Sequence, residues 1–212
     1  MDYFSSGYFT YKNNTLCCEE VPVPDIIKAA GTPVYIYSKK FLIDRYNEFS
    51  DAFKEIPHAI FYAAKSNFNL SVIKTFVSLG SGVDVNSQGE LYRALKAGAS
   101  AQKIILSGVG KTEEEIKLAL EKNLLMIKAE SEQEIELINE VAGSLNKTAH
   151  VAIRVNPDVD AKTHPYISTG LGENKFGLDS ESSLKIFKDH KKFSNIKFTG
   201  IDMHLGSQIT TL

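Results

Sequence analysis

From residue 59 onward, short dense apolar runs alternate with longer stretches in which apolar residues recur every three or four positions. The short runs, 59–64, 82–86, 103–107, 124–128, 150–156 and 197–204, are rich in Val, Ile, Phe and Leu and are predicted as strands. The longer stretches read as helices. Three of them open on a capping-box pattern: Ser87-Gln88-Gly89-Glu90, Thr112-Glu113-Glu114-Glu115 and Ser131-Glu132-Gln133-Glu134. In that pattern a hydroxyl and a carboxylate satisfy N–H groups that the first turn of a helix leaves unpaired. After the third box, Ile135, Ile138, Ala142 and Leu145 fall on one face, as an amphipathic helix requires.

Six βα steps with continuously apolar strands predict a parallel sheet covered by helices. A doubly wound sheet and a (β/α)8 barrel both fit. No glycine-rich fingerprint follows the first strand, which weakens the dinucleotide-binding form of the former. A barrel closes with eight strands over roughly 250 residues, and these 212 residues offer six. An open set of six leaves its first and last strands as unpaired edges. Residues 1–58 have a different character: a β-like start at 8–16, Pro22 and Pro24 before a short helical stretch, a strand-like 33–37, and a helix at 41–53.

Composition narrows the partners more than the fold. Hydrophobic content of 43% and charged content of 24% are ordinary for a soluble globular protein. A net charge of −2 leaves no basic footprint for nucleic acid. No run approaches the roughly 18 apolar residues of a membrane span, and residues 1–11 lack the basic and apolar regions of a secretory signal. The only cysteines, Cys17 and Cys18, are adjacent and make no disulfide framework, which suits a reducing compartment. No Cys or His cluster accompanies them, so no metal is expected. These features predict a cytoplasmic protein without membrane or nucleic-acid partners.

The chemistry-bearing residues collect at predicted strand ends. They are Lys65 and Asn67 after the first strand, Asp84, Asn86 and Ser87 at the second, Arg154 and Asn156 at the fifth, and His204, Ser207 and Gln208 at the sixth. In a βα barrel that rim is the active-site face. Taken singly, each has a plain structural explanation: a solvated amine for Lys65, a hydrogen-bonded core histidine for His204, a helix cap for Asp84, a partner for Asp158 in the case of Arg154. Together they suggest a lysine nucleophile, because a partly desolvated amine has a lowered pKa and can attack a carbonyl substrate or pyridoxal phosphate.

Tyr62-Ala63-Ala64-Lys65-Ser66-Asn67 resembles the YA-x-K-x-N motif of the alanine-racemase-like, fold-type III pyridoxal-phosphate enzymes. Asp84 with Ser87-Gln88-Gly89-Glu90-Leu91 is similar to their second-strand motif, and Met203-His204-Leu205-Gly206-Ser207-Gln208 resembles the H-x-G-S-Q motif of their decarboxylase branch. The segment 155–178, with Tyr11 to Asn14 and Gly31 to Ser38, is similar to the diaminopimelate decarboxylase family. One departure is Lys128-Ala129 before Glu130-Ser131, where that family more often has Asn-Val.

The resemblance implies an α/β fold with an incomplete (β/α)8 TIM-type barrel, about six of eight βα units, at 41–212. It implies a segment at 1–40 that joins a C-terminal β-domain. It implies a PLP-dependent carboxy-lyase acting on meso-2,6-diaminopimelate to give L-lysine, and a homodimer for the full-length protein. Lys65 would carry the cofactor covalently, His204 would stack on its ring, Ser207 would help bind its phosphate, and Asp84 and Arg154 would line the pocket. The family's phosphate loop, its pyridine-nitrogen Glu and its protonating Cys are expected beyond Leu212, so the chain alone is expected to show little activity. Three other readings stay open: a decarboxylase of the same fold acting on ornithine, arginine or carboxynorspermidine, a non-catalytic PLP-binding barrel, and a bare structural βα fragment without cofactor.

Overall fold

The structure, a computed structural model, describes residues 7–156 and 176–206. Ser207, Gln208 and most of the 155–178 segment lie outside the described residues. Two compact units are present: one runs to Ile60 and includes Thr75–Ser81, and the other takes Phe61–Lys74 and the chain from Gly82 onward.

The first unit begins with an antiparallel sheet of β1 (Phe9–Lys12), β2 (Thr15–Cys18) and β3 (Val21–Pro22). The β1–β2 turn uses Asn13 and Asn14 at φ of 49° and 61°, a conformation Asn tolerates better than most residues. Cys17 and Cys18 are free and buried, and burial, then the charge of Glu19, pushes the Cys18 thiol up. Pro24 sits in the first turn of helix α1 (Val23–Ala30), where a missing N–H costs nothing. Ser38 caps α2 (Lys39–Ala52), accepting from the Phe41 N–H at 3.0 Å, and its own hydroxyl donates to Glu19 at 2.7 Å. The strand predicted at 33–37 does not form. That segment has no regular secondary structure and no sheet partner among the described residues, and Tyr35 is 87% exposed. Its alternation of Val, Tyr and Ile carries β propensity, but propensity alone supplies no ladder.

The second unit is a six-stranded parallel sheet of β4 (Phe61–Ala63), β5 (Gly82–Val85), β6 (Ile104–Leu106), β7 (Met126–Ala129), β8 (Ala149–Arg154) and β9 (Ile196–Asp202). The strands pair in chain order, each with the next. A doubly wound sheet reverses its strand order at a switch point; this one does not, and the sequential order is that of a βα barrel, with six strands and five connecting helices among the described residues.

Helices α3 (Leu70–Ser78), α4 (Gln88–Lys96), α5 (Glu113–Glu121), α6 (Glu132–Ser144) and α7 (Ser180–Lys188) connect the strands. Val83, Val85, Leu91, Ile104, Leu106, Ile116, Ile135, Ile138, Val151 and Ile153 are almost wholly buried. Each such side chain contributes about 1.5–3 kcal/mol over its exposed state. Of the central strands only β6 is apolar throughout, while β5, β7 and β8 set Asp84, Lys128, and His150 and Arg154 among their apolar positions. By contrast, β9 alternates half-buried and exposed positions, with Ile201 58% exposed, because it is the edge of the described sheet.

All three predicted helix starts are capped by the expected hydroxyl, but only Thr112 and Glu115 close a reciprocal box. Ser87 accepts from the Glu90 N–H, and Ser131 from the Glu134 N–H. Their glutamates reach one residue further back, so Glu90 accepts from the Asn86 N–H and Glu134 from the Glu130 N–H, each at 2.7 Å. The carboxylates therefore tie down the residue that leaves each strand. Asn86 and Glu130 are both residues of the site described next.

Candidate active site

Six strand ends converge on one cleft of about 190 Å³, lined by Ala63, Lys65, Asp84, Asn86, Ser107, Gly108, Lys128, Glu130, Arg154, Asp202, Met203 and His204. Of the residues singled out in the sequence, the structure brings together Lys65, Asp84, Asn86, Arg154 and His204. Ser87 caps α4, and Asn67 starts a turn in which its Oδ1 accepts from the Asn69 N–H. Ser207 is outside the described residues.

Lys65 lies in a single 3-10 turn, Ala64–Ser66, immediately after β4. Ala64 is wholly buried while Lys65 is exposed at the cleft. The turn is braced from both sides: Ser66 donates to the Ala63 carbonyl at 2.7 Å with its Oγ also 3.1 Å from the Tyr62 hydroxyl, and Tyr62 donates to the Asn67 carbonyl at 3.0 Å. The spacing of Tyr62, Lys65 and Asn67 in the motif thus has a local cause, since the tyrosine fastens the loop that presents the amine. Among the described residues no carboxylate lies within ion-pair distance of Lys65.

Asp84 does not cap the following helix. Its carboxylate meets the Lys128 ammonium at 2.9 Å, and that ammonium also meets Asp202 at 2.9 Å. Asp84, Lys128 and Asp202 come from β5, β7 and β9, and side chains from alternate strands are how a βα barrel builds an interior layer. Burial works against the Lys128 charge, but Asp84 and then Asp202 outweigh it and push its pKa up.

Arg154 is held by Glu130, one guanidinium nitrogen lying 2.8 and 3.0 Å from the two carboxylate oxygens. The Phe176 ring lies 5.9 Å from the guanidinium carbon. Next to Phe176, Gly177 adopts a φ of 101°, and a Cβ there would meet the Arg154 carbonyl at 2.9 Å, so this close approach admits only glycine. Behind Glu130 lies a second ion pair, Lys111 with Glu134 at 3.0 Å, with side chains 2% and 9% exposed. Lys111 also donates to the Gly108 carbonyl. A continuous polar chain therefore runs from Gly108 through Lys111, Glu134 and Glu130 to Arg154.

The His204 imidazole is pushed down, first by burial, then by the charges of Arg154 and Lys65, with Asp202 opposing. It is neutral at pH 7. A histidine depressed below its ordinary value of about 6.5 contributes stability that is complete above that pH and lost as the pH falls through the lower folded value. We expect His204→Gln to flatten the loss of stability below about pH 6.5. Urea midpoints of both proteins at neutral and mildly acid pH check this, and equal acid sensitivity would count against it.

Sequence reasoning missed Lys128, Glu130, Asp202 and Ser107. A lysine between Ile127 and Ala129 reads as the solvent face of a strand, and only sheet curvature turns that face inward. One signal was available, because Lys128 is half of the Lys128-Ala129 departure from the family's pattern. Ser107 gives none: its hydroxyl is buried in the cleft wall and has no hydrogen-bond partner among the described residues.

These residues fit pyridoxal phosphate on three counts. An exposed amine stands at the cleft to receive an aldehyde, a neutral imidazole offers a flat surface to an aromatic ring, and the Ser107 hydroxyl, unpartnered among the described residues, calls for a polar ligand. Among known proteins, the diaminopimelate decarboxylase of Neisseria meningitidis serogroup A is 51% identical over 198 residues, covering 93% of this chain and 49% of the relative. That of Haemophilus influenzae is 47% identical over 206 residues, covering 97% and 50%. The solved diaminopimelate decarboxylase of M. jannaschii, in complex with L-lysine, superposes with a TM-score of 0.88 at 37% identity, covering 98% of this chain and 50% of that one. The chain spans about half the length of the curated relatives it matches. Residues 39–212 match the family described as pyridoxal-dependent decarboxylase, pyridoxal binding domain, and the chain belongs to that family.

Proposed function

We propose that this chain forms the cofactor-binding part of a pyridoxal-phosphate-dependent decarboxylase that converts meso-2,6-diaminopimelate to L-lysine. The observation that carries the reading is the convergence of Lys65, Asp84, Arg154 and His204 on one cleft from four different strand ends. The substrate assignment is supported by relatives named diaminopimelate decarboxylase at 41–51% identity.

Pyridoxal phosphate supplies a conjugated ring that accepts the electron pair left when carbon dioxide departs. The remaining work belongs to the protein. Lys65 would hold the cofactor through its amine, the group the cleft presents to an aldehyde. His204, uncharged, provides a surface for the ring without adding a positive charge to it. Arg154 is already matched by Glu130, so its part is to fix the wall of the cleft more than to bind a free anion. Ser207 is assigned to the phosphate on its motif alone. A homodimer and a cytoplasmic location belong to the same proposal. Among the described residues no helix is long and apolar enough to cross a membrane.

The test is carbon dioxide release by the complete protein with pyridoxal phosphate, offering meso-diaminopimelate, ornithine and arginine in parallel. Turnover of meso-diaminopimelate ahead of the other two is expected. Preference for ornithine or arginine would overturn the substrate, and inactivity on all three would overturn the decarboxylase reading.

A further inference from the structure

The cleft contains two primary amines, and the protein treats them oppositely. Lys65 is exposed on a braced turn with no carboxylate beside it among the described residues. Lys128 is about four-fifths buried and sits between two carboxylates, 2.9 Å from each. The other charged or titratable groups lining this cleft are Glu130 beyond β7, Arg154 on β8, His204 after β9 and Lys65 itself. Glu130 and Arg154 neutralise each other, and His204 is uncharged at pH 7, so Asp84 and Asp202 act on Lys128 with little opposition.

Forming an imine requires the amine lone pair. A neutral amine adds to the aldehyde carbon, a C=N bond replaces C=O, and the oxygen leaves as water. An ammonium has no lone pair to give. We propose that Asp84 and Asp202 silence Lys128 by holding it as an ammonium, so that an aldehyde entering the cleft meets a single amine nucleophile, Lys65. Asp202 is thereby a positioning residue whose function is chemoselectivity, acting through Lys128 and not on the substrate. The upward push on the Lys128 pKa agrees with this geometry. The inference rests on the proposed pyridoxal chemistry for its purpose, but not for the charge state it assigns.

Trace acetylation of the cofactor-free complete protein across a pH series, read by mass spectrometry of individual lysine peptides, measures that charge state directly. In the wild type, Lys128 should become reactive at a higher pH than the exposed Lys117. A midpoint at or below that of Lys117 overturns the proposal without any variant. In Asp202→Asn the Lys128 midpoint should fall by about one pH unit or more, a tenfold gain in neutral amine at a given pH. Lys111, buried against Glu134, serves as the internal check, because it stays unlabelled only while the chain is folded. An unchanged Lys128 midpoint with Lys111 still protected also overturns the proposal.

Borohydride trapping with pyridoxal phosphate then separates this inference from the functional reading. The wild type should carry its pyridoxyl group on Lys65. The variant Lys65→Ala should not carry one on Lys128, and Lys65→Ala combined with Asp202→Asn should. An adduct on Lys128 in Lys65→Ala, or none there in the double variant, defeats the silencing role. Absence of any adduct on wild-type Lys65 defeats the functional reading and leaves the acetylation result standing.

Discussion

Replacing Lys65 by alanine in the complete protein is expected to lower decarboxylation of meso-diaminopimelate on the order of 10⁴-fold or more, the scale on which removing a nucleophile abolishes catalysis. The informative control is Lys65→Arg. Arginine keeps the positive charge and most of the length, but its guanidinium stays protonated and cannot form the covalent bond. If the role of Lys65 is nucleophilic, both variants lose activity alike, and neither yields a pyridoxyl peptide on borohydride reduction. If Lys65 only supplies charge to the cleft, Lys65→Arg retains most of the rate. Carbon dioxide release and peptide mapping on the same preparations decide between the two. The fold should tolerate either change, because Lys65 is exposed and its turn is braced by Ser66 and Tyr62, not by its own side chain.

The second large effect is on stability. Glu134→Ala removes one half of an ion pair whose other half, Lys111, is 2% exposed. An ammonium stranded in that environment costs about 3–5 kcal/mol. The same substitution also takes away the acceptor for the Glu130 N–H. Urea denaturation measures the loss. The double variant Lys111→Met with Glu134→Gln should recover most of it, since both charges go together and the glutamine carbonyl can still accept from Glu130. A loss of less than about 1 kcal/mol in Glu134→Ala would mean the pair is not desolvated as the structure has it. Because Glu130 in turn holds Arg154, the single variant should also weaken cofactor binding, and the double variant should restore it.

These two residues differ in how visible they are in the chain. Lys65 is legible because its signals are local: an apolar run that stops at a charge, with Tyr62 and Asn67 at fixed offsets. The Lys111–Glu134 pair is not, because the partners are separated by a strand and two helix starts, and nothing in either neighbourhood announces burial. Glu134 read as the closing residue of a capping box. In the structure it reaches past the cap to the Glu130 N–H, which turns a helix-start signal into a support for the site. The 33–37 segment shows the converse, a strong local preference for strand with no pairing neighbour among the described residues.

The amino-acid sequence alone determined the six strands and their alternation with helices, the three helix starts and the strand-end positions of Lys65, Asp84, Arg154 and His204. Apolar periodicity, capping and β propensity act over a few residues, so they can be read without knowing where the chain goes. The tertiary structure decided the rest: the strand order that excludes a doubly wound sheet, the exposure of Lys65, and the meeting of Asp84, Lys128 and Asp202 from three alternate strands. Those contacts depend on register and curvature across the whole sheet, which no local stretch of sequence encodes.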